Sequence, residues 1–196
     1  MNISYLAFTS YHALLPVTWL CWLIYWALFA IGNKPETRRE RPASRLTHSI
    51  PVLLGAVTMA VPHLLGRDMQ LRFVPATEAW FWAGWFVTMG GLALTLVARM
   101  WLGGNWSAIV TLKQDHELIR SGPYALMRHP IYTGLLLALL GSAIAIGDWR
   151  ALVGVALIAA GLVRKLTVEE RFMRERFGEA YARYRAQVRA LVPFVV

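Results

Sequence analysis

Residues Ile131–Val163 read IYTGLLLALLGSAIAIGDWRALVGVALIAAGLV. Two blocks without a charged side chain, Ile131–Ile146 and Ala151–Val163, are separated only by Gly147, Asp148, Trp149 and Arg150. A helix on the surface of a soluble fold needs one apolar stripe. A helix apolar all round belongs in lipid or deep inside a large core. A connector this short returns the chain upon itself. The stretch therefore predicts an antiparallel helical hairpin in a membrane.

Upstream lie three more charge-poor segments, Leu14–Ile31, Ile50–Leu65 and Ala79–Ala98. The last has the twenty or so residues that a bilayer crossing requires, and the first is close. Of the whole chain, 57% is hydrophobic and only 16% charged, where a soluble domain carries about 25% charge. The expectation is an all-α integral membrane bundle of about five transmembrane helices, forming one membrane domain over residues 1–196. Residues 1–102 supply the first three helices, and 103–196 a loop, the hairpin and an amphipathic C-terminal segment. No basic region precedes Leu14 and no small-residue cleavage site follows the first segment, so it reads as a retained helix.

Basic residues orient such a bundle. With the N-terminus outside, the inner segments 32–49, 103–130 and 164–196 hold five, three and eight Lys or Arg, against Arg67, Arg72 and Arg150 outside. That bias predicts a cytoplasmic C-terminal tail. It also accounts for the net charge of +9, which needs no nucleic-acid partner; the expected partner is the lipid bilayer. Cys21 is the sole cysteine and reads as a small residue inside an apolar run. His12, His48 and His63 have no neighbours at ligand spacing and read as structural. No Cys/His cluster suggests a metal.

Chemistry concentrates on the inner side of the hairpin. The loop HELIRSGPYALMRHPIYTG, His116–Gly134, packs two histidines, two tyrosines, two prolines and two arginines into one short run. Ser121-Gly122-Pro123 encodes a turn. Pro130 suits the first turn of a helix, with His129 at its entrance and Tyr132 on a neighbouring face. Beyond the hairpin stand Glu169 and Glu170, beside Arg164 and Lys165. Locally these charges read as a solvated helix start. The hairpin, however, brings both its flanks to one side of the membrane, and so His129 and Tyr132 near Glu169.

GPYALMRHPIYTG, followed after the hairpin by VEERFMRERFGEAYARYRAQVRALVPF, resembles the isoprenylcysteine carboxyl methyltransferase family and the related phospholipid methyltransferases, from about Asn105 onward. The resemblance implies a helical membrane enzyme with S-adenosylmethionine in a cytoplasm-facing pocket under the C-terminal segment. By position it places cofactor contacts on His116, Glu117, Leu118, Ile119, Tyr124, His129, Pro130, Ile131 and Tyr132. It sets Glu169 against the cofactor's cationic methionine end. It also implies a basic residue holding the acceptor, here Lys165 with Arg164.

No strand–GxGxxG–helix pattern is present, so a cofactor site must be built from loops and helix ends. Methyl transfer from a sulfonium mainly requires alignment and exclusion of water. An acceptor carboxylate is already ionised and needs only a cation such as Lys165 or Arg164. An amine or thiol needs a base, and His129 or Glu170 is then the candidate. The expected acceptor is lipidic or prenylated. The readings from other classes are a membrane sterol-type NADPH reductase and a non-catalytic scaffold.

Overall fold

The computed structural model describes residues 3–28, 36–106, 111–113 and 117–192. The chain divides into two compact units, Met1–Gly32 and Asn33–Val196. The first contains helix α1, Ile3–Leu28, which runs through Pro16. Its indoles pack along one side, Trp19 on Trp22 at 5.6 Å and Trp22 on Trp26 at 5.1 Å between ring centroids.

The second unit holds α2 (Pro42–Ala60), α3 (Glu78–Leu102), α4 (Pro130–Ile146), α5 (Trp149–Phe177) and α6 (Glu179–Gln187). Among the described residues its regular structure is helical apart from one short antiparallel ribbon, β1 (Glu36–Arg39) on β2 (Thr111–Lys113), which the all-α expectation did not include. Among the described residues two stretches are long and apolar enough to cross a bilayer, Glu78–Asn105 and Trp149–Phe177, while Ala13–Leu28 and Pro130–Ile146 are shorter apolar helices.

Two boundaries differ from the sequence reading. The second apolar segment, expected over Ile50–Leu65, lies in a helix that starts at Pro42 and stops at Ala60. Proline accounts for both ends. Pro42 occupies the first helical turn, and Val61 is forced into an extended conformation by Pro62 behind it. The charged stretch after Val163, expected as part of a separate tail, is the continuation of α5 as far as Phe177. No glycine or proline interrupts it, and Arg, Glu and Leu sustain a helix well. Gly178, with φ of +49°, ends it.

The hairpin forms, with Gly147 in the left-handed conformation (φ +81°) and the Asp148 Oδ1 accepting the Ala151 amide at 3.0 Å. Yet its two arms pack chiefly on other helices, α4 on α3 and α5 on α2. Small residues decide this. Gly84, Thr88, Gly91 and Thr95 on α3 meet Gly134, Ala138, Gly141 and Ala145 on α4, both sets at spacings of four, three and four. Between helices in lipid, close backbone approach and polar contacts replace the hydrophobic drive. The buried Thr88 hydroxyl accordingly lies 3.2 Å from both Ala138 O and Ser142 Oγ. A methyl group on Gly91 would stand 2.4 Å from Ala138 N, inside backbone atoms that cannot yield. Gly91→Ala is expected to cost about 1–3 kcal/mol, read as a lower unfolding temperature in detergent, whereas Gly90→Ala, which meets open space, should be silent.

At the end of the bundle where α2 and α4 finish, two arginines close the helices. Arg72 Nη1 donates to Ile146 O at 2.9 Å, and the buried Arg150 donates to Thr58 O at 2.9 Å and Met59 O at 2.5 Å. Cations suit these carbonyl ends. Two of the three basic residues that run against the charge bias, Arg72 and Arg150, thus have structural work. The opposite end, where α4 begins and the charged half of α5 lies, is left for the residues singled out above.

Candidate functional site

The loop entering α4 is pinned from two sides. Gly122 has φ of +58°, and a side chain there would come within 2.3 Å of the Trp101 ring, so only glycine fits. Trp101 Nε1 donates to Ser121 Oγ at 3.3 Å. Tyr124 is buried, donating to Ala98 O of α3 at 3.4 Å and accepting from the Tyr184 hydroxyl of α6 at 2.6 Å. Burial, followed by the nearby Glu169 charge, pushes the Tyr124 phenol well above its ordinary range, which keeps it a neutral donor.

The segment after α6 lies along this loop like an added strand. Arg128 N donates to Arg189 O at 2.8 Å, His129 N to Ala190 O at 2.9 Å, and Thr133 Oγ1 to Leu191 O at 2.7 Å. Arg128 Nη1 also donates to Val188 O. His129 is the N-cap of α4 and Pro130 its first residue, as their order in the sequence suggested.

From that entrance Tyr132 donates to Glu169 Oε1 of α5 at 2.5 Å. The other oxygen, Glu169 Oε2, lies 3.6 Å from His129 Nδ1. The rings of His129 and Tyr132 are parallel within 2°, their centroids 5.5 Å apart. Lys165 Nζ stands 5.6 Å from the Tyr132 ring centroid, on the turn of α5 that precedes Glu169. His129, Tyr132, Lys165 and Glu169, separate in sequence, occupy one place.

Glu170 faces differently. Its Oε1 accepts from Arg128 Nε at 2.8 Å and Nη2 at 2.5 Å, and both side chains are 8% exposed. Arg185 Nε lies 3.6 Å from Oε2. His129 Nε2 is 3.5 Å from the same Glu170 Oε1, outside hydrogen-bond geometry, and is a buried nitrogen with no hydrogen-bond partner. The imidazole thus stands between the two glutamates, with Nδ1 toward Glu169 and Nε2 toward Glu170.

Of the other residues singled out, Ile131 is half-buried and Pro130 buried at the head of α4, and Leu118 and Ile119 are half-buried on the approach to it. Glu117 is tied through its amide to Asn105 Oδ1 at 3.4 Å. Arg164 is exposed, its Nη1 3.3 Å from Thr167 Oγ1. His116 lies outside the described residues. Sequence reasoning passed over two residues that shape the site. Arg128 could have been found by asking what neutralises a second glutamate beside the first. Asn105, buried at the end of α3, left no signal beyond its position.

Residues 84–175 match the model of the isoprenylcysteine carboxyl methyltransferase (ICMT) family. A probable protein-S-isoprenylcysteine O-methyltransferase of Oryza sativa subsp. indica is 29% identical over 163 residues, covering 81% of this chain and 84% of the relative. The steroid 5-alpha-reductase DET2 of Solanum lycopersicum is 24% identical over 173 residues, covering 86% of this chain and 66% of that one. Among solved structures, the eukaryotic intramembrane Ras methyltransferase ICMT superposes with a TM-score of 0.55 at 26% identity. That match takes in 76% of this chain and 53% of the other, so this chain spans about half of the solved one. The stretch that matches the isoprenylcysteine carboxyl methyltransferase family model, residues 84–175, holds Tyr124, His129, Tyr132, Glu169 and Glu170 together with the hairpin between them.

Proposed function

We propose that this protein is an integral membrane methyltransferase that uses S-adenosylmethionine to methylate the carboxylate of an isoprenylcysteine-like acceptor. The observation that carries the reading is the joining of the two motifs through Tyr132 and Glu169 at 2.5 Å, with His129 alongside. The donor set fits the cofactor. Glu169 offers a carboxylate to a cationic methionine end, with the His129 ring beside it. His116, Glu117, Leu118, Ile119, Tyr124, Pro130, Ile131 and Tyr132 would complete the pocket.

When bound, S-adenosylmethionine supplies a methyl group on a positively charged sulfur. Tyr132 keeps Glu169 pointed into the pocket by donating to one oxygen, and His129 limits the swing of the other. Lys165, with Arg164 beside it, pairs with the acceptor carboxylate and aims one oxygen along the transfer line. No base is required, which leaves Glu170 to Arg128. An apolar acceptor tail enters from lipid between helices. In this reading α1 to α5 cross the bilayer, the N-terminus lies outside, and the site and C-terminal segment face the cytoplasm. The distribution of Lys and Arg supports it. Phospholipid, amine or thiol acceptors are the alternatives within the same fold.

Titration calorimetry on detergent-purified protein checks the cofactor. S-adenosylhomocysteine should bind and NADPH should not; the reverse result would identify a reductase, and silence from both a scaffold. With labelled methyl donor, a prenylcysteine analogue should acquire a base-labile methyl ester. Base-stable label in phospholipid would instead assign an amine acceptor.

A further inference from the structure

Arg39, the last residue of β1, pairs with Thr111 of β2, and Glu36 pairs with Lys113. A two-stranded ribbon this short is marginal by itself in water, so its place in the fold depends on what holds its ends. Glu40 follows β1 directly, ahead of Pro42 in the first turn of α2. Its side chain is 1% exposed. Ser44 Oγ donates to its Oε1 at 2.5 Å, and His48 Nε2 lies 2.9 Å from its Oε2. Ser44 and His48 are four residues apart, on successive turns of one face of α2. The helix therefore grips both carboxylate oxygens. That helix is itself pressed on α5, which bears Lys165 and Glu169: a side chain on Gly161 would stand 2.7 Å from His48 O.

We propose that Glu40 is a positioning residue for the cofactor loop: held by Ser44 and His48, it seats the ribbon against α2 and so sets where residues 116–119 meet S-adenosylmethionine. The inference rests on the reading above, in which His116, Glu117, Leu118 and Ile119 touch the cofactor. His116 comes three positions after Lys113, the last residue of β2. Where β2 rests therefore limits where this loop can begin. On its other side the loop is tied to the end of α3, through Glu117 N donating to Asn105 Oδ1 at 3.4 Å. That bond is long, and a pivot of this kind leaves the loop's direction to the ribbon. Glu40 does not cap α2. Its oxygens take side chains of the first two turns, not backbone amides, and Arg41 stands at the N-cap without a side-chain bond. A helix start needs no buried carboxylate, since a serine or asparagine caps it without taking an anion out of water. A buried polar group with both its acceptors filled instead fixes one arrangement of the parts it joins. Here those parts are the ribbon and the α2–α5 pair, and β2 in turn lies beside α5.

Glu40→Ala releases the grip. It should weaken S-adenosylhomocysteine binding by about 10-fold and raise KM for S-adenosylmethionine alike, with kcat at saturating donor and the acceptor KM unchanged. Hydrogen exchange read by mass spectrometry should quicken over residues 111–119, while α3, α4 and α5 keep their protection. Glu40→Gln, which can keep both hydrogen bonds, should restore most of the affinity. Ser44→Ala removes one contact and should cost about 3-fold; added to Glu40→Ala it should do nothing more. Ser44→Ala carries the same readouts if Glu40→Ala does not fold. The proposal is overturned if the unfolding temperature falls while cofactor affinity holds, which would make the cluster a plain helix support. It is also overturned if exchange over 111–119 does not move, or if the Glu40→Ala and Ser44→Ala losses multiply. An unaltered protein that binds no S-adenosylhomocysteine would remove the cofactor reading and this inference with it. Binding that Glu40→Ala leaves untouched would remove this inference alone.

Discussion

Replacing Glu169 by alanine is expected to weaken S-adenosylhomocysteine binding by on the order of 100-fold, with little loss of fold. Three features set the size. The carboxylate is oriented before any ligand arrives, since Tyr132 donates to Oε1 at 2.5 Å and His129 Nδ1 lies 3.6 Å from Oε2. Its side chain is 25% exposed, which leaves it reachable while largely screened from bulk water. A charge-assisted contact in that setting contributes about 1.5–3 kcal/mol, and removing one partner also strands the other. Glu169→Gln should fall between, because an amide keeps an oxygen for Tyr132 and loses the charge. Calorimetry on the three proteins measures the series. Undiminished affinity in Glu169→Ala would remove the carboxylate from the cofactor pocket.

Arg128→Ala should act on stability instead, by about 3–5 kcal/mol. Arg128 and Glu170 are each 8% exposed, and two guanidinium nitrogens converge on one carboxylate oxygen. Truncating the arginine leaves a buried anion without its main partner, since Arg185 approaches only at 3.6 Å and is half exposed. The variant also loses the donation to Val188 O. For a chain of this size the loss corresponds to a fall of roughly 10 °C or more in unfolding temperature, measured in detergent by scanning calorimetry. Combining Arg128→Met with Glu170→Met should recover much of it, because the stranded charge is then gone. A double variant no better than Arg128→Ala would show that the carbonyl contacts, and not the ion pair, hold this corner.

The fold was legible where the sequence departs most from soluble composition. Uncharged runs either side of Gly147–Arg150 marked the hairpin, and the order His129-Pro130 marked the start of α4. What could not be read was partner choice. The hairpin arms turn their small residues away from each other, toward α3 and α2, and spacing alone does not say which of several glycine-bearing faces will meet. The end of α2 was misplaced because apolar residues run on past Ala60, although Pro62 had already fixed the break. In the site, the resemblance set Glu169 on the cofactor and left Glu170 as a candidate base. On a helix, successive residues point about 100° apart, so one meets Tyr132 and the other Arg128, and only packing separates their roles.

The strand-like segment Val188–Leu191 has a consequence for biogenesis. Arg128 and His129 receive their backbone acceptors from residues some sixty positions later in the chain. During synthesis the loop before α4 leaves the ribosome before those acceptors do. The nascent protein therefore passes through a stage with this corner unlatched, and the entrance to α4 is completed only when α6 and the residues after it have docked. A chain truncated just short of Val188 would carry helices α1 to α6 and lack the acceptors that latch this corner.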